Sequence, residues 1–298
     1  MTDPQWPRAS QWLSNGGADD GQRLAVIGVP LARTSISPSG AHETPDAIRA
    51  ALRRFSSFHS SGIDLAQTVR VTDHGDLPVA DATVDDADPR VHQAITGLRL
   101  DTDLVVLLGG DNAITRPGMR ALMPLATSGL LTLDAHHDVR GFHAGATNGT
   151  PVRGLIEDGL PGAYVVQVGI GALSNSAPYR QWCDEQRITL IGVGKARGQV
   201  GAVVREQLTA LGELCTDLYV DLDVDVVDSA FVPGCPGARP GGLAPHELLE
   251  AAFEAGRHPK VRAVDITEVD ATRDPDGRTV DLAAMCLLTI AAGLARRT

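Results

Sequence analysis

LLTLDAHHD, residues Leu130–Asp138, joins a nearly continuous apolar run to two carboxylates and two imidazoles. An apolar run of this length reads as a strand covered on both faces, as in the parallel sheet of an α/β protein. Six other runs have the same character: LAVIGV from Leu24, LVVLLG from Leu104, YVVQVGI from Tyr164, ITLIGV from Ile188, LYVDL from Leu218 and RAVDIT from Arg262. Helical patterns lie between them. TPDAIRAALRRFS opens with Thr44 as an expected N-cap and Pro45 at the first helical position, and sets Ile48, Leu52 and Phe55 on one face. A largely apolar helix is expected from about Thr279 to Ala295. Strand–helix alternation without repeat or linker predicts a single-domain α/β/α three-layer fold with a mostly parallel central sheet over residues 23–298. Residues 1–22, polar and rich in Gly, Asp and Ser, read as a flexible lead-in.

Ligands of open α/β sheets bind beyond the carboxyl ends of the strands. Four strands here end in acidic or imidazole residues: Asp111 and Asn112 after LVVLLGG; Asp134, His136, His137 and Asp138 after LLTL; Asp223 and Asp225 after LYVDL; Glu268 after AVDIT. Alternate residues of an extended chain face the same way, so Asp134, His136 and Asp138 can converge, as can Asp221, Asp223 and Asp225. His137 points to the other side, towards packing or support of a neighbour. Carboxylates gathered in this way repel unless cations neutralise them, and carboxylates with imidazole but no thiolate suit Mn²⁺, or less specifically Fe²⁺, Co²⁺ or Zn²⁺.

The net charge of −11 over 298 residues argues against nucleic acid as a partner. No apolar run approaches the roughly 20 residues of a membrane span, and the first residues lack the pattern of a secretory signal. The four cysteines, Cys183, Cys215, Cys235 and Cys286, stand far apart and read as buried fillers in a cytoplasmic protein. The expected partner is a small-molecule substrate.

In order along the chain, GGDN at Gly109–Asn112, DAHHD at Asp134–Asp138, DVDVVD at Asp223–Asp228 and TEVD at Thr267–Asp270 resemble the motifs of the arginase–agmatinase–formimidoylglutamase family. The opening GVPLARTSISPSGAHETPDAIR is similar to the family's Gly-rich start. The resemblance covers about Leu24 to Leu294. It implies an arginase-like fold, a homo-oligomer, and two Mn²⁺ ions bridged by Asp134 and Asp223. Asp138 and Asn112 would complete one ion, and His136 and Asp225 the other. A metal-bridging hydroxide would attack an amidine carbon, Glu268 would bind the cationic amidine, and Asp138 would help deliver a proton.

Two positions depart from the family pattern. Asn112 replaces a metal-binding His, so the ion beside it is expected to be weakly held or absent. Asn148, in TNGTPV, replaces a His of arginases and agmatinases credited with proton shuttling, and reads as a turn residue or a substrate contact. Formimidoylglutamases are similar in lacking that His, in carrying an Arg where Arg140 stands, and in a Ser-Asn-Ser/Thr element, here Ser174–Asn175–Ser176. Arg140, either a surface ion pair or a fork for a substrate carboxylate, joins Asn148 and Asn175 as a candidate substrate contact. The function implied is hydrolysis of N-formimino-L-glutamate to glutamate and formamide. The alternatives are hydrolysis of a guanidino acid, agmatine or a hydroxyguanidine, or a non-catalytic homologue that binds or senses.

Overall fold

The computed structural model describes Asp3 and residues 5–297. Eight strands form one sheet: β1 Gln22–Val29, β2 Val69–Asp76, β3 Leu104–Gly109, β4 Ser128–Leu133, β5 Val165–Ile170, β6 Thr189–Gly192, β7 Asp217–Asp223 and β8 Val261–Thr267. Their order is β2-β1-β3-β8-β7-β4-β5-β6, and every neighbouring pair is parallel. The last two strands of the chain are thus inserted at the centre, where they are buried almost throughout.

Alternation along each strand divides the interior into two cores. Leu24, Val26, Val106, Leu131, Val220 and Val264 face one core; Ala25, Ile27, Leu107, Leu130, Tyr219 and Ala263 face the other. The first is covered by α1 Ala9–Asn15, α2 Thr44–Ala51 and three later helices. The second is covered by α3 Val84–Ile95, α4 Thr115–Leu122, α5 Pro151–Glu157 and α6 Ala177–Glu185. The later helices on the first face are α7 Val200–Leu214, α8 Pro245–Arg257 and α9 Arg278–Leu294. This is the three-layer α/β/α sandwich expected, with a wholly parallel sheet. No helix among the described residues is long and apolar enough to cross a membrane. The four cysteines are buried and unpaired.

The seven strands expected from apolar runs are all present; β2 was not expected. It is an edge strand whose outward residues are polar (Arg70, Thr72), so only Val69 and Val71 carry an inward signal. The expected flexible lead-in is corrected in part. Ala9, Trp12 and Leu13 are buried on one face of α1, and the Trp12 indole donates to the Val69 carbonyl at 3.2 Å. That spacing of three and four was the available signal. Met1, Thr2 and Pro4 of the same segment lie outside the described residues. Thr44 is not an N-cap: the helix begins with it, Pro45 is second, and the Thr44 hydroxyl donates to the Val269 carbonyl, tying α2 to the loop after β8.

Helices α8 and α9 approach through glycine. A Cβ on Gly256 would lie 2.0 Å from the Ile290 carbonyl oxygen, and one on Gly293 would lie 2.2 Å from that of Phe253. Because the obstacle is backbone, it cannot rotate away. Gly256→Ala, which helix propensity alone favours by about 1 kcal/mol, is therefore expected to lower unfolding stability by about 1–3 kcal/mol through overpacking. Urea denaturation measures this, and an unchanged or raised midpoint would show that the helices separate freely.

Candidate metal centre

The five neighbouring strands β3-β8-β7-β4-β5 deliver their carboxyl ends to one edge of the sheet, and each end brings a polar residue of the site. Asn112 follows β3, Glu268 follows β8, Asp223 closes β7, Asp134 follows β4, and Asn175 lies in the loop after β5. Short local turns fix these ends. The Asp134 carboxylate accepts from the His136 N–H at 2.6 Å, that of Asp223 from the Asp225 N–H at 2.8 Å, and that of Asp111 from the Ala113 N–H at 3.0 Å. Each carboxylate folds back on the chain two residues ahead, so the turn that ends the strand also orients the next functional side chain. Asp138 and Glu268 sit at positive φ, 51° and 63°. This conformation is uncommon for residues other than glycine and tends to occur where a side chain is forced into a site.

Two groups of potential ligand atoms result: Asp134 with His136 and Asp225, and Asp134 with Asp138 and Asp223. Within each group all atoms lie within 4.8 Å of one another. Asp134, Asp223 and Asp225 are buried, and His136 and Asp138 half-buried. Burial and the Asp225 charge push Asp134 up to about 7. Burial and neighbouring carboxylates also hold Asp138 and Asp223 well above the usual range. Burial disfavours a charge on His136, but Asp225 and Asp134 outweigh it and push the imidazole up to about 12. His136 Nδ1 lies 2.7 Å from Asp225 and 3.5 Å from Asp134. Asp225 remains below its ordinary value, because His136 outweighs the effect of burial. A protonated imidazole thus stands where the cluster demands positive charge. Oxygen and nitrogen donors without thiolate fit a divalent ion such as Mn²⁺.

The other expected residues fall around this cluster. Asn112 is buried, with Nδ2 2.7 Å from Asp138 Oδ2 and Oδ1 accepting from the Thr115 hydroxyl at 2.8 Å. Glu268 Oε1 accepts from the Asn112 N–H and from Asn148 Nδ2, both at 2.9 Å. Its Oε2 takes no hydrogen bond among the described residues. Asn148 Oδ1 accepts from the Ile36 N–H at 2.9 Å, so its amide links Glu268 to the loop after β1. The Asn175 amide accepts from the His137 N–H and donates to the Ala135 carbonyl, each at 2.9 Å. Both of its ends serve the DAHHD loop, while the residue also lines the cavity that opens onto the cluster. His137 is buried, with Nδ1 2.7 Å from Gln167, in the packing role expected.

Asp221 does not converge with Asp223 and Asp225. It lies opposite Asp265 in the sheet, and burial with the Asp265 charge holds it well above the carboxylate range. Three residues of the site gave no sequence signal. Ser35 bonds Asp111, Thr115 reaches both Asn112 and Asp265, and Gly237 lies where a Cβ would come within 2.5 Å of Asp225 Oδ2. They come from loops and helices whose approach is set by tertiary packing.

A cavity of about 310 Å³ opens onto the cluster, lined among others by Ile36, His136, Asp138, Arg140, Asn148, Asp223, Asp225 and Glu268. Arg140 is exposed and makes no ion pair within 4 Å of any described carboxylate, so the surface ion-pair alternative is corrected. A larger groove of about 840 Å³, lined by Phe58, Phe253 and Met285, contains none of the clustered residues.

The model of the arginase family matches residues 22–293. The chain belongs to the arginase family. The formimidoylglutamase of Halalkalibacterium halodurans is 36% identical over 92% of this chain and 89% of its own length. The crystal structure of formimidoylglutamase from Bacillus subtilis superposes with a TM-score of 0.90 at 30% identity, over 100% of this chain and 94% of that one. A Trypanosoma cruzi formiminoglutamase solved with Mn²⁺ shares the fold, with a TM-score of 0.86 at 23% identity over 98% of this chain and 100% of that one.

For this arginase-family chain, the raised carboxyls set a pH dependence. Asp134 rises from 3.8 to about 7 on folding, so between those values the metal-free native state binds more protons than the unfolded state. Its stability contribution therefore falls as pH rises through that window. A divalent cation prefers the ionised cluster, so its stabilisation is expected to grow over the same range. Scanning calorimetry of metal-free protein with and without Mn²⁺ at pH 5 and pH 8 should show the larger rise in Tm at pH 8, and Asp134→Asn should remove most of it. Equal rises at both pH values would contradict a titrating carboxylate cluster as the binding site.

Proposed function

We propose that this arginase-family hydrolase cleaves the amidine C–N bond of N-formimino-L-glutamate, giving L-glutamate and formamide. The observation that carries the reading is the polarity of the pocket. Its floor is acidic, with buried Asp223, Asp225 and Glu268 and half-buried Asp138, while its exposed rim bears Arg140 with no ion pair among the described residues. A cationic amidine with an anionic tail fits that gradient in one orientation. The match to formimidoylglutamases supports the same reading.

Two ions are proposed, one held by Asp134, His136, Asp223 and Asp225, the other by Asp134, Asp138, Asp223 and Asn112. When bound, they supply a water acidified enough to act as nucleophile near neutral pH. Glu268 Oε2 is free to accept from the amidinium, while Oε1 is held by Asn112 and Asn148. Water oxygen bonds to the formimino carbon as the bond to the glutamate nitrogen breaks. Asp138 Oδ1, without a hydrogen bond among the described residues, carries the proton to that nitrogen. Asn148 has no usable pKa and acts by orienting Glu268. The leaving nitrogen of formiminoglutamate is less basic than a guanidine's, because a carboxylate-bearing carbon is attached, so a shuttling imidazole is less needed.

Asn112 is proposed to ligate through its amide oxygen. The Thr115 hydroxyl has one hydrogen but lies 2.8 Å from both Asn112 Oδ1 and Asp265 Oδ2. If that hydrogen goes to Asp265, Thr115 can accept from the Asn112 NH₂ group, and exchanging the two ends of the amide turns its oxygen towards Asp134 and Asp138. An amide is a weaker ligand than imidazole, so one ion is expected to be lost first on dilution or mild chelation. Asn112→His should raise the Mn²⁺ retained after gel filtration from below two towards two per chain, read by elemental analysis. Two ions retained by the unaltered protein, with no change in the variant, would defeat this assignment.

The substrate assignment is tested by kcat/KM for formiminoglutamate, 4-guanidinobutyrate, arginine and agmatine. Formiminoglutamate is expected to rank first, and Arg140→Ala to raise its KM roughly tenfold or more, about 1.4 kcal/mol of charge-assisted binding. Agmatine has no carboxylate and should be indifferent to the change. Agmatine ranking first, or equal losses on every substrate, would overturn the assignment.

A further inference from the structure

The rim of the same pocket carries a second guanidinium, Arg239, in the loop between the end of β7 and α8. It is exposed and has no carboxylate of the described residues within 4 Å. Its Nη1 donates to the carbonyls of Pro236 at 3.0 Å and Ala238 at 2.8 Å. That fixes the guanidinium against its own loop and leaves Nε and Nη2 without partners among the described residues. The loop is itself held. Gly237 packs on Asp225, the Leu243 N–H donates to the Val226 carbonyl at 2.8 Å, and the Gly241 N–H donates to Asp228 at 2.6 Å.

Arg140 reaches the same cavity from a different strand end, on the loop after β4. Its N–H donates to the Gly149 carbonyl at 2.9 Å, and its stem lies so close over Gly149 that a Cβ there would meet its Cδ at 2.7 Å. Both arginines also line an adjoining cavity of about 550 Å³ together with His136 and Asp225. Two anchored guanidiniums from different strand ends thus face one space above an acidic floor. A guanidinium fork accommodates one carboxylate in its plane. Two carboxylates a few bonds apart repel each other, and two separate forks hold them better than one.

We propose that Arg239 is a specificity-determining residue that binds one carboxylate of the substrate tail while Arg140 binds the other, so that the pocket selects amidines with two anionic groups. The proposal rests on the reading of the pocket as a formiminoglutamate site. Arg140 then distinguishes anionic from neutral tails, and Arg239 distinguishes two anionic groups from one.

The test compares the unaltered enzyme, Arg140→Met and Arg239→Met on N-formimino-L-glutamate and two probes with one carboxylate each. N-formimino-L-glutamine lacks the side-chain charge, and N-formimino-4-aminobutyrate lacks the α-carboxylate. Arg239→Met is expected to lower kcat/KM on formiminoglutamate tenfold or more, mainly through KM, with metal content unchanged. It should cost nothing on one probe and the full factor on the other, and Arg140→Met should show the reverse pattern. Both variants sensitive to the same carboxylate, equal losses on all substrates, no loss, or lost metal would each overturn the proposal. If the unaltered enzyme does not hydrolyse formiminoglutamate, inhibition of its best substrate by glutarate against butyrate separates the two claims. A preference for glutarate that disappears in Arg239→Met keeps the double clamp while the substrate assignment falls; a preference absent from the start, or retained in the variant, overturns the clamp.

Discussion

Four carboxylates are gathered within a few ångströms at the carboxyl edge of a parallel sheet, three of them buried. Two unit charges about 5 Å apart repel by roughly 3 kcal/mol at an effective dielectric of about 20, so such a cluster persists only if something answers the charge. Without a cation the answer is protons: Asp134, Asp138 and Asp223 all rise, and His136 becomes the counter-ion of Asp225 and Asp134. Protons and divalent ions therefore compete for one set of atoms. Much of the surrounding architecture serves to keep those atoms close despite their repulsion. The turns that return carboxylates to their own backbone, the left-handed residues Asp138 and Glu268, and the glycine against Asp225 all act to that end.

The same constraint shapes the pocket. A floor of clustered carboxylates lies beneath a rim that carries two guanidiniums, so the cavity is negative at its base and positive at its mouth. Glu268 lies at that base. Its main chain is tied to Gly110 across the neighbouring strand end, one carboxylate oxygen is held by Asn112 and Asn148, and the other takes no hydrogen bond among the described residues. Asn148 in turn reaches the loop after β1 through Ile36, so a segment far away in sequence helps orient the group that would receive the substrate.

Much of this was legible in the chain. The apolar runs give the strands because a strand covered on both faces is apolar along most of its length, and parallel pairing follows from helices between them. The edge strand Val69–Asp76 escaped because only Val69 and Val71 of its residues are buried. The helix at Ala9–Asn15 escaped because a few apolar residues at helical spacing stand among Gly, Ser and Asp. Asp134, His136, Asp138, Asp223, Asp225 and Glu268 could be named because sites of this architecture lie where strands end. Asp221 misled because alternation along a strand was extrapolated through its end, where the chain leaves the sheet and the alternation changes meaning.

The sequence by itself determined the elements, the parallel sheet and the residues at the strand ends, because these depend on local periodicity and on a rule of chain direction. The tertiary structure decided which ends become neighbours, since inserting the last two strands between β3 and β4 sets Glu268 and Asp223 beside Asn112 and Asp134. It also decided how each amide is used. Asn148 and Asn175 look alike in a sequence, yet one holds the carboxylate of Glu268 and the other holds the backbone of the DAHHD loop. An amide takes its role from whichever donors and acceptors the folded chain brings to its two ends, and no local pattern encodes those partners.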